Sequence, residues 1–398
     1  METEQKIHKF TAFDPNFVCN DDGFFTLTTT EQKRVEELFS KEYKHFMDGY
    51  LDNIDESVYA PVLLRNTHVN FVTRYLKELN QSYSCLDASR TWLCYWGVHS
   101  LRLLEAPEDP DLFSDIVRFI KTCESPDGGY GGGPGQYPHL ATTYGAVMAL
   151  ISIGTKEALA SINRKTLRSF LLSVKQSDGS FCLHEGGEND IRGAYCALAV
   201  ASVTNILDEK LCENTDRWII SCQTYEGGFG GEPRVEAHGG YTFCGVAALT
   251  ILGKTALIHT PSLYKWLANK QMRFEGGFQG RTNKLVDGCY SFWQASVFLL
   301  LEAAMHEISR EMFDAKALQE FILVGCQDRE HGGLVDKPGK MSDLYHTCYA
   351  LSGLSIAQSC CGEDNLVGGS HNQLARISPV YSICKEAEKE ARMFFANE

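Results

Sequence analysis

The chain has 398 residues, enough for one large core or two ordinary domains, and its 44% hydrophobic and 22% charged residues suit a globular protein. A net charge of −14, from 37 basic and 51 acidic residues, argues against a nucleic-acid partner but leaves room for a local basic pocket. No apolar run reaches the roughly 20 residues that cross a bilayer, and fifteen cysteines without a secretory leader point to reduced thiols in a cytoplasmic protein rather than a disulfide framework.

The N-terminal flank, residues 1–60, opens with the polar stretch Met1–Phe10, unlike a signal peptide. Thr91–Leu104 is the first clear apolar helix. A Gly-rich turn ending in an aromatic then recurs as Asp127-Gly128-Gly129-Tyr130, Asp178-Gly179-Ser180-Phe181, Glu226-Gly227-Gly228-Phe229 and Glu275-Gly276-Gly277-Phe278, with a degenerate copy at His331-Gly332-Gly333-Leu334. The closing residues are 51, 48, 49 and 56 positions apart. Fourteen residues after each aromatic stands another: Tyr144, Tyr195, Phe243 and Phe292. Ten further on are Gly154, Asn205 and Gly253, residues that tolerate the left-handed conformation closing a helix; the fourth copy has Glu302 instead.

Each unit therefore reads as turn, apolar inner helix, loop and amphipathic outer helix, the outer ones including Arg164–Val174 and Ala315–Val324. Five or six such pairs could stack as an open solenoid or close into an α/α barrel. The repeat domain is expected over residues 61–369, with a tail at 370–398 ending in a charged helix, Lys385–Phe395.

Aligned on the turn aromatic, the repeats place chemistry in register. Nine residues on lie His139, Asp190, His238, Asp287 and Asp343; eleven on lie Arg192, Gly240, Cys289 and Tyr345; twelve on lie Tyr241, Tyr290 and His346. Polar, metal-capable side chains thus collect where inner helices begin, and in a ring those starts would share one rim. Asp at such a position also caps free backbone amides, and Cys is commonly a small buried residue. Asp287, Cys289 and His346 form a possible zinc set with one open coordination position.

The segments Lys284-Leu-Val-Asp-Gly-Cys-Tyr-Ser-Phe-Trp293 and Asp343-Leu-Tyr-His-Thr-Cys-Tyr349 resemble the zinc-binding stretches of the protein prenyltransferase β-subunit family. His238-Gly-Gly-Tyr-Thr-Phe-Cys244 and Leu86-Asp-Ala-Ser-Arg-Thr-Trp-Leu-Cys-Tyr-Trp96 are similar to further segments of it, so the likeness runs from about Leu86 to Gly369. The resemblance implies an all-α barrel, or toroid, of about six helical hairpins and an obligate helical α subunit. It also implies Zn2+ on Asp287, Cys289 and His346, and Mg2+ travelling with a prenyl diphosphate. By the same likeness His238, Arg281, Lys284 and Tyr290 hold the diphosphate. Trp92, Tyr144, Arg192, Tyr195, Gly240, Tyr241, Cys244 and Trp293 meet the isoprenoid. Trp92, Trp96, Arg192 and Tyr345 line the groove for a C-terminal CaaX peptide, as carried by small GTPases.

Bulky Trp92 and Tyr349 point to the farnesyl branch of the family, since a large ring at the base of a pocket shortens it. Asp336 matches a magnesium-associated carboxylate of that branch, although Asp also suits the turn before Lys337-Pro338-Gly339. A geranylgeranyl-transferring β subunit is the alternative within the family. Triterpene cyclases share Gly-aromatic repeats but use an Asp-x-Asp-Asp motif that this chain lacks. A repeat scaffold without catalysis would explain the turns and helices but not the polar residues in register.

Overall fold

The repeat spacing becomes two concentric layers of helices. The computed structural model of the protein describes residues 24–52, 61–305, 313–361 and 366–397, and the stretch Met1–Phe10 lies outside them. The described chain begins with α1 (Leu27–Asp52), α2 (Arg65–Lys77) and α3 (Arg90–Leu103). It continues through α4 (Pro110–Thr122), α5 (Leu140–Ile153), α6 (Lys156–Ala160), α7 (Arg164–Ser173) and α8 (Ile191–Val203). Next come α9 (Glu209–Cys212), α10 (Thr215–Ser221), α11 (Gly239–Ile251), α12 (Thr260–Ala268), α13 (Tyr290–Trp293) and α14 (Ala295–Met305). The last are α15 (Ala315–Glu320), α16 (Leu344–Cys360), a two-residue hairpin of β1 (Ile377–Ser378) and β2 (Ile383–Cys384), and α17 (Lys385–Ala396).

Inner helices are apolar on every side because they pack on every side. In α5 every residue except Ala141 is buried. The outer α4 instead buries one stripe, Leu112, Phe113, Ile116, Val117 and Ile120, as an amphipathic helix should. Inside, α3 packs on α5, α5 on α8, α8 on α11, and α11 on α13 and α14; α13 packs on α16, and α16 returns to α3. The ring is closed.

The Gly-rich turns explain their own sequence. Gly128 has φ +101°, and a Cβ there would stand 2.0 Å from the Thr166 carbonyl in α7. The degenerate copy behaves alike: Gly332, at φ +82°, lies against the Thr67 carbonyl in α2. The last turn thereby docks on the first outer helix and closes the outer layer too. Gly154, Asn205 and Gly253 take left-handed φ of 73°, 57° and 65°, as expected of helix-closing residues. Glu302 lies inside α14, because this inner helix breaks between Trp293 and Ala295 and ends late.

The outer helix expected over Ala315–Val324 is α-helical only to Glu320 and then widens into a π-turn, Phe321–Gly325. There Phe39 of α1 stacks on Phe321 with ring centroids 5.4 Å apart. A Cβ on Gly325 would stand 2.1 Å from the Phe39 ring, so the glycine admits α1.

The tail is the floor of the barrel. Tyr95, Tyr144 and Tyr195 donate their hydroxyls to the carbonyls of Ser382 (2.5 Å), Tyr381 (2.9 Å) and Val380 (3.0 Å) in the hairpin. The charged helix expected at Lys385–Phe395 is α17, which packs on α5 and α8 and buries Ala387, Ala391 and Phe395. The described cysteines are free thiols, and no described helix is long and apolar enough to cross a membrane.

Gly353 of α16 sits where α16 crosses α13, and a Cβ there would meet the Ser291 side chain at 2.3 Å. Gly353→Ala is therefore expected to wedge the two helices apart and lower stability by about 1–3 kcal/mol. Thermal unfolding of the purified protein checks this.

Candidate active site

Four of the five residues at the ninth position cap inner helices, and Asp287 makes the matching backbone bond just ahead of α13. Nδ1 of His139 and of His238 accepts from the amides of Ala141 and Gly240. The carboxylates of Asp190, Asp287 and Asp343 accept from the amides of Arg192, Cys289 and His346. The capping role and the site role thus coexist, and each cap fixes its side chain at the mouth of the ring. The helix amino-termini gathered there add partial positive charge.

Asp287 and Cys289, at the start of α13, meet His346 in the first turn of α16. Their ligand-type atoms lie within 4.8 Å of one another. His346 Nε2 is 3.5 Å from the Asp287 carboxylate, and its Nδ1 is 2.7 Å from Asp343. Burial opposes the charged imidazole, but hydrogen bonds with Asp287 and Asp343 prevail and hold His346 up to about 10. Burial likewise pulls Asp287 upward, yet its bonds with His346 and Cys289 keep it below the usual carboxylate range. Burial, followed by the Asp287 charge, pushes the Cys289 thiol well up. The cluster therefore calls for a positive centre, which a proton on His346 supplies. A thiolate, an imidazole and a carboxylate are a donor set suited to a divalent metal, so these residues fit one.

Asp336 stands beside this cluster. Its backbone carbonyl accepts from Gly288 N at 2.7 Å. One carboxylate oxygen pairs with Lys337, and the other is buried without a partner among the described residues. Burial and then the Asp287 charge raise its pKa.

A second constellation flanks the first on α11 and the loop before α13. Because Gly240 N donates to Nδ1 of His238, the neutral ring carries its proton on Nε2, and burial followed by Arg281 keeps that ring neutral. Nε2 lies 2.9 Å from the Tyr290 hydroxyl, which must then accept, leaving its own proton free to point elsewhere. Burial keeps that phenol protonated. Arg281 pairs with Glu236 at 2.5 Å, and Lys284 is exposed on the same loop. A cavity of about 530 Å³ opens here, lined by Asp190, Glu232, Glu236, His238, Tyr241 and Arg281 among others. Arg192, forked onto Asp190, lies 5.8 Å over the Tyr241 ring, and the Cys244 thiol is buried nearby with its pKa raised.

Below the mouth runs a continuous aromatic belt. Trp92, Tyr144, Tyr195, Phe243, Trp293, Tyr349, Tyr345 and Trp96 follow one another around the ring with centroids 4.3–5.5 Å apart, and Trp96 returns to Trp92. Every inner helix contributes to it. Tyr144 and Tyr195 are almost wholly buried, so they also serve the core.

The match to known proteins agrees with this layout. A family described as "Prenyltransferase alpha-alpha toroid domain" matches residues 63–383. The chain is 41% identical over 376 residues to "Protein farnesyltransferase subunit beta" of Pisum sativum, covering 77% of this chain and 89% of the relative. It is 38% identical over 437 residues to the protein of that name from Arabidopsis thaliana, covering 93% and 90%. The chain belongs to the protein farnesyltransferase β-subunit family. The fold of this family is seen again in the solved structure titled "Candida albicans protein geranylgeranyltransferase-I complexed with GGPP", with a TM-score of 0.71, 23% identity and coverage of 84% of this chain and 99% of that one.

Three features of this farnesyltransferase-family site escaped the sequence reading. Asp343 orients His346; its place three residues upstream of a candidate ligand was the available signal. Glu236 holds Arg281, and nothing in the spacing marks it. The hairpin under the belt lies outside the repeat altogether.

Two outcomes are expected for the metal-capable cluster. Because His346 and Cys289 must both lose protons to ligate, divalent-metal affinity should climb as pH rises from 7 toward 10. Asp343→Asn should weaken that affinity about 10–100-fold, since it keeps the cap but loses the charge that orients the ring. Competition titrations with a chromophoric chelator at several pH values check both.

Proposed function

We propose that this chain is the catalytic β subunit of a zinc-dependent protein farnesyltransferase, moving farnesyl from farnesyl diphosphate to the cysteine of C-terminal CaaX motifs. The observation that carries this reading is the juxtaposition of Asp287, Cys289 and His346 with the His238–Tyr290–Arg281 group at one mouth above the aromatic belt. Membership of the family supports it.

Asp287, Cys289 and His346 would hold Zn2+, leaving a position for the substrate sulfur. The bound ion would supply the electrophile that keeps the substrate cysteine as thiolate near neutral pH, against a free pKa of about 8.5. The Trp92–Trp96–Tyr345 face, with Arg192, would orient the peptide, while the belt and Tyr241 would exclude water from the isoprenoid. In the transfer the sulfur forms its bond to C1 of the prenyl chain as the C1–O bond breaks and the electron pair leaves with diphosphate. Charge builds on the departing oxygens, where Tyr290 donates its outward proton and Arg281 and Lys284 supply cations. Arg281 would trade Glu236 for the anion. Asp336, with one oxygen unengaged, would meet the Mg2+ carried by the diphosphate. A helical α subunit completes the enzyme, and small GTPases are the expected protein substrates in the cytoplasm.

Trp92 touches Trp96, Tyr95 and Tyr144, and Tyr349 tilts against Trp293 with ring centroids 4.3 Å apart, so both rings take up space that a longer chain would need. Trp92→Thr is expected to admit geranylgeranyl diphosphate. Steady-state rates with both donors decide, and an unchanged preference counts against Trp92 as the pocket floor. Cys289→Ala is expected to lose zinc and turnover together, read by metal analysis alongside transfer to a short CaaX peptide; full activity without bound metal would refute the reading.

A further inference from the structure

Lys270 is out of keeping with its repeat. In each unit one residue just past the outer helix accepts, through its carbonyl, the amide that follows the Gly-rich turn. These residues are Cys123, Val174, Cys222, Lys270 and Cys326, bonded to the amides of Gly131, Cys182, Gly230, Gln279 and Val335. All five are buried. Four are small and apolar, as the space between two helical layers requires, but Lys270 carries an ammonium there and is only 3% exposed. A lysine is seldom buried so far unless its charge is paired or used. Among the described residues Lys270 has no ion-pair partner. Its Nζ lies 4.8 Å from the centroid of the Trp266 ring and donates to Thr282 Oγ1 at 3.0 Å.

This exception falls in the unit whose loop carries Arg281 and Lys284. The loop is tight: Asn283 takes a left-handed φ of 62°, and Lys284 N donates to the Gln279 side chain at 3.2 Å. Its first end is tied to α11, where Gly239 N donates to the Gly280 carbonyl at 2.8 Å and so sets the loop beside His238. Thr282 lies between the two cations in sequence. An ammonium is a donor only, so the Thr282 oxygen accepts from it.

We propose that Lys270 is a positioning residue for the diphosphate: from beneath the loop its ammonium holds Thr282 and so sets where Arg281 and Lys284 present their charge. This assignment rests on the reading that those two cations hold the diphosphate. A small apolar residue suffices where a unit has only to pack. A buried donor is needed where the loop above must meet an anion with its cations already placed, because side chains placed in advance lose less freedom on binding.

The test measures the affinity of inorganic pyrophosphate for the full enzyme with its α subunit, by calorimetry. Lys270→Met keeps the apolar stem against Trp266 and removes the donor, while Thr282→Val removes the acceptor from an exposed side chain. Each should weaken pyrophosphate binding about 10-fold, the worth of one hydrogen bond from a charged group. Bound metal and CaaX-peptide affinity should stay at parent values. Lys270→Arg, which keeps a charged donor, should bind pyrophosphate close to the parent. Should Lys270→Met fail to fold, Thr282→Val decides alone. A residue that only supports the fold would lower thermal stability with pyrophosphate affinity unmoved, or weaken metal, peptide and pyrophosphate alike, and either result overturns the proposal. Arg281→Ala separates the two failures. If it leaves pyrophosphate affinity unmoved, the diphosphate reading itself falls; if it weakens binding while Lys270→Met and Thr282→Val do not, only the positioning role falls.

Discussion

Everything at the mouth depends on α16 packing back onto α3. That contact turns a row of helical hairpins into a ring, and a ring has one end where all the inner helices begin. Asp287 and Cys289 on α13 reach His346 on α16 because those two helices are neighbours within it. The crossing is tight enough to require Gly353 against Ser291. Glycines in the repeated turns do the same for the outer layer, and Gly332 carries the last turn onto α2.

The helix caps give the site its directional order. An Asp or His that accepts a backbone amide has its rotamer settled and, for His, its tautomer too. At His238 this sends the Nε2 proton to Tyr290 and turns the phenol outward. Asp343 caps α16 and grips Nδ1 of His346, aiming Nε2 at Asp287. The chain is acidic overall, yet the cavity beside His238 holds Arg281 against Glu236 and the exposed Lys284 follows on the same loop. A local cation balance therefore sits inside an anionic surface, with its arginine already neutralised by a neighbour.

The opposite end is governed by backbone carbonyls. Three tyrosines of the inner helices are large enough to reach the floor, and each finds a carbonyl of residues 380–382 for its buried hydroxyl. The hairpin gains anchors and the barrel gains a base. The belt above it is continuous because each inner helix places at least one aromatic at the same height. A belt of this kind presents apolar faces inward and leaves little for water to bind.

Periodicity alone showed the helical pairs, the glycine turns, the left-handed ends and the register of polar residues, because each is a local demand of backbone geometry or helix patterning. The resemblance of several motifs supplied the expected ligand set and the barrel. The break after Trp293, the π-turn under Phe39, the Glu236–Arg281 pair and the tail as floor were decided only in three dimensions. Each depends on contacts between residues far apart in sequence, and no local pattern encodes which distant side chain or carbonyl will answer a buried hydroxyl, a guanidinium or a glycine gap. The sequence determined what each helix must bury; packing determined what each helix meets.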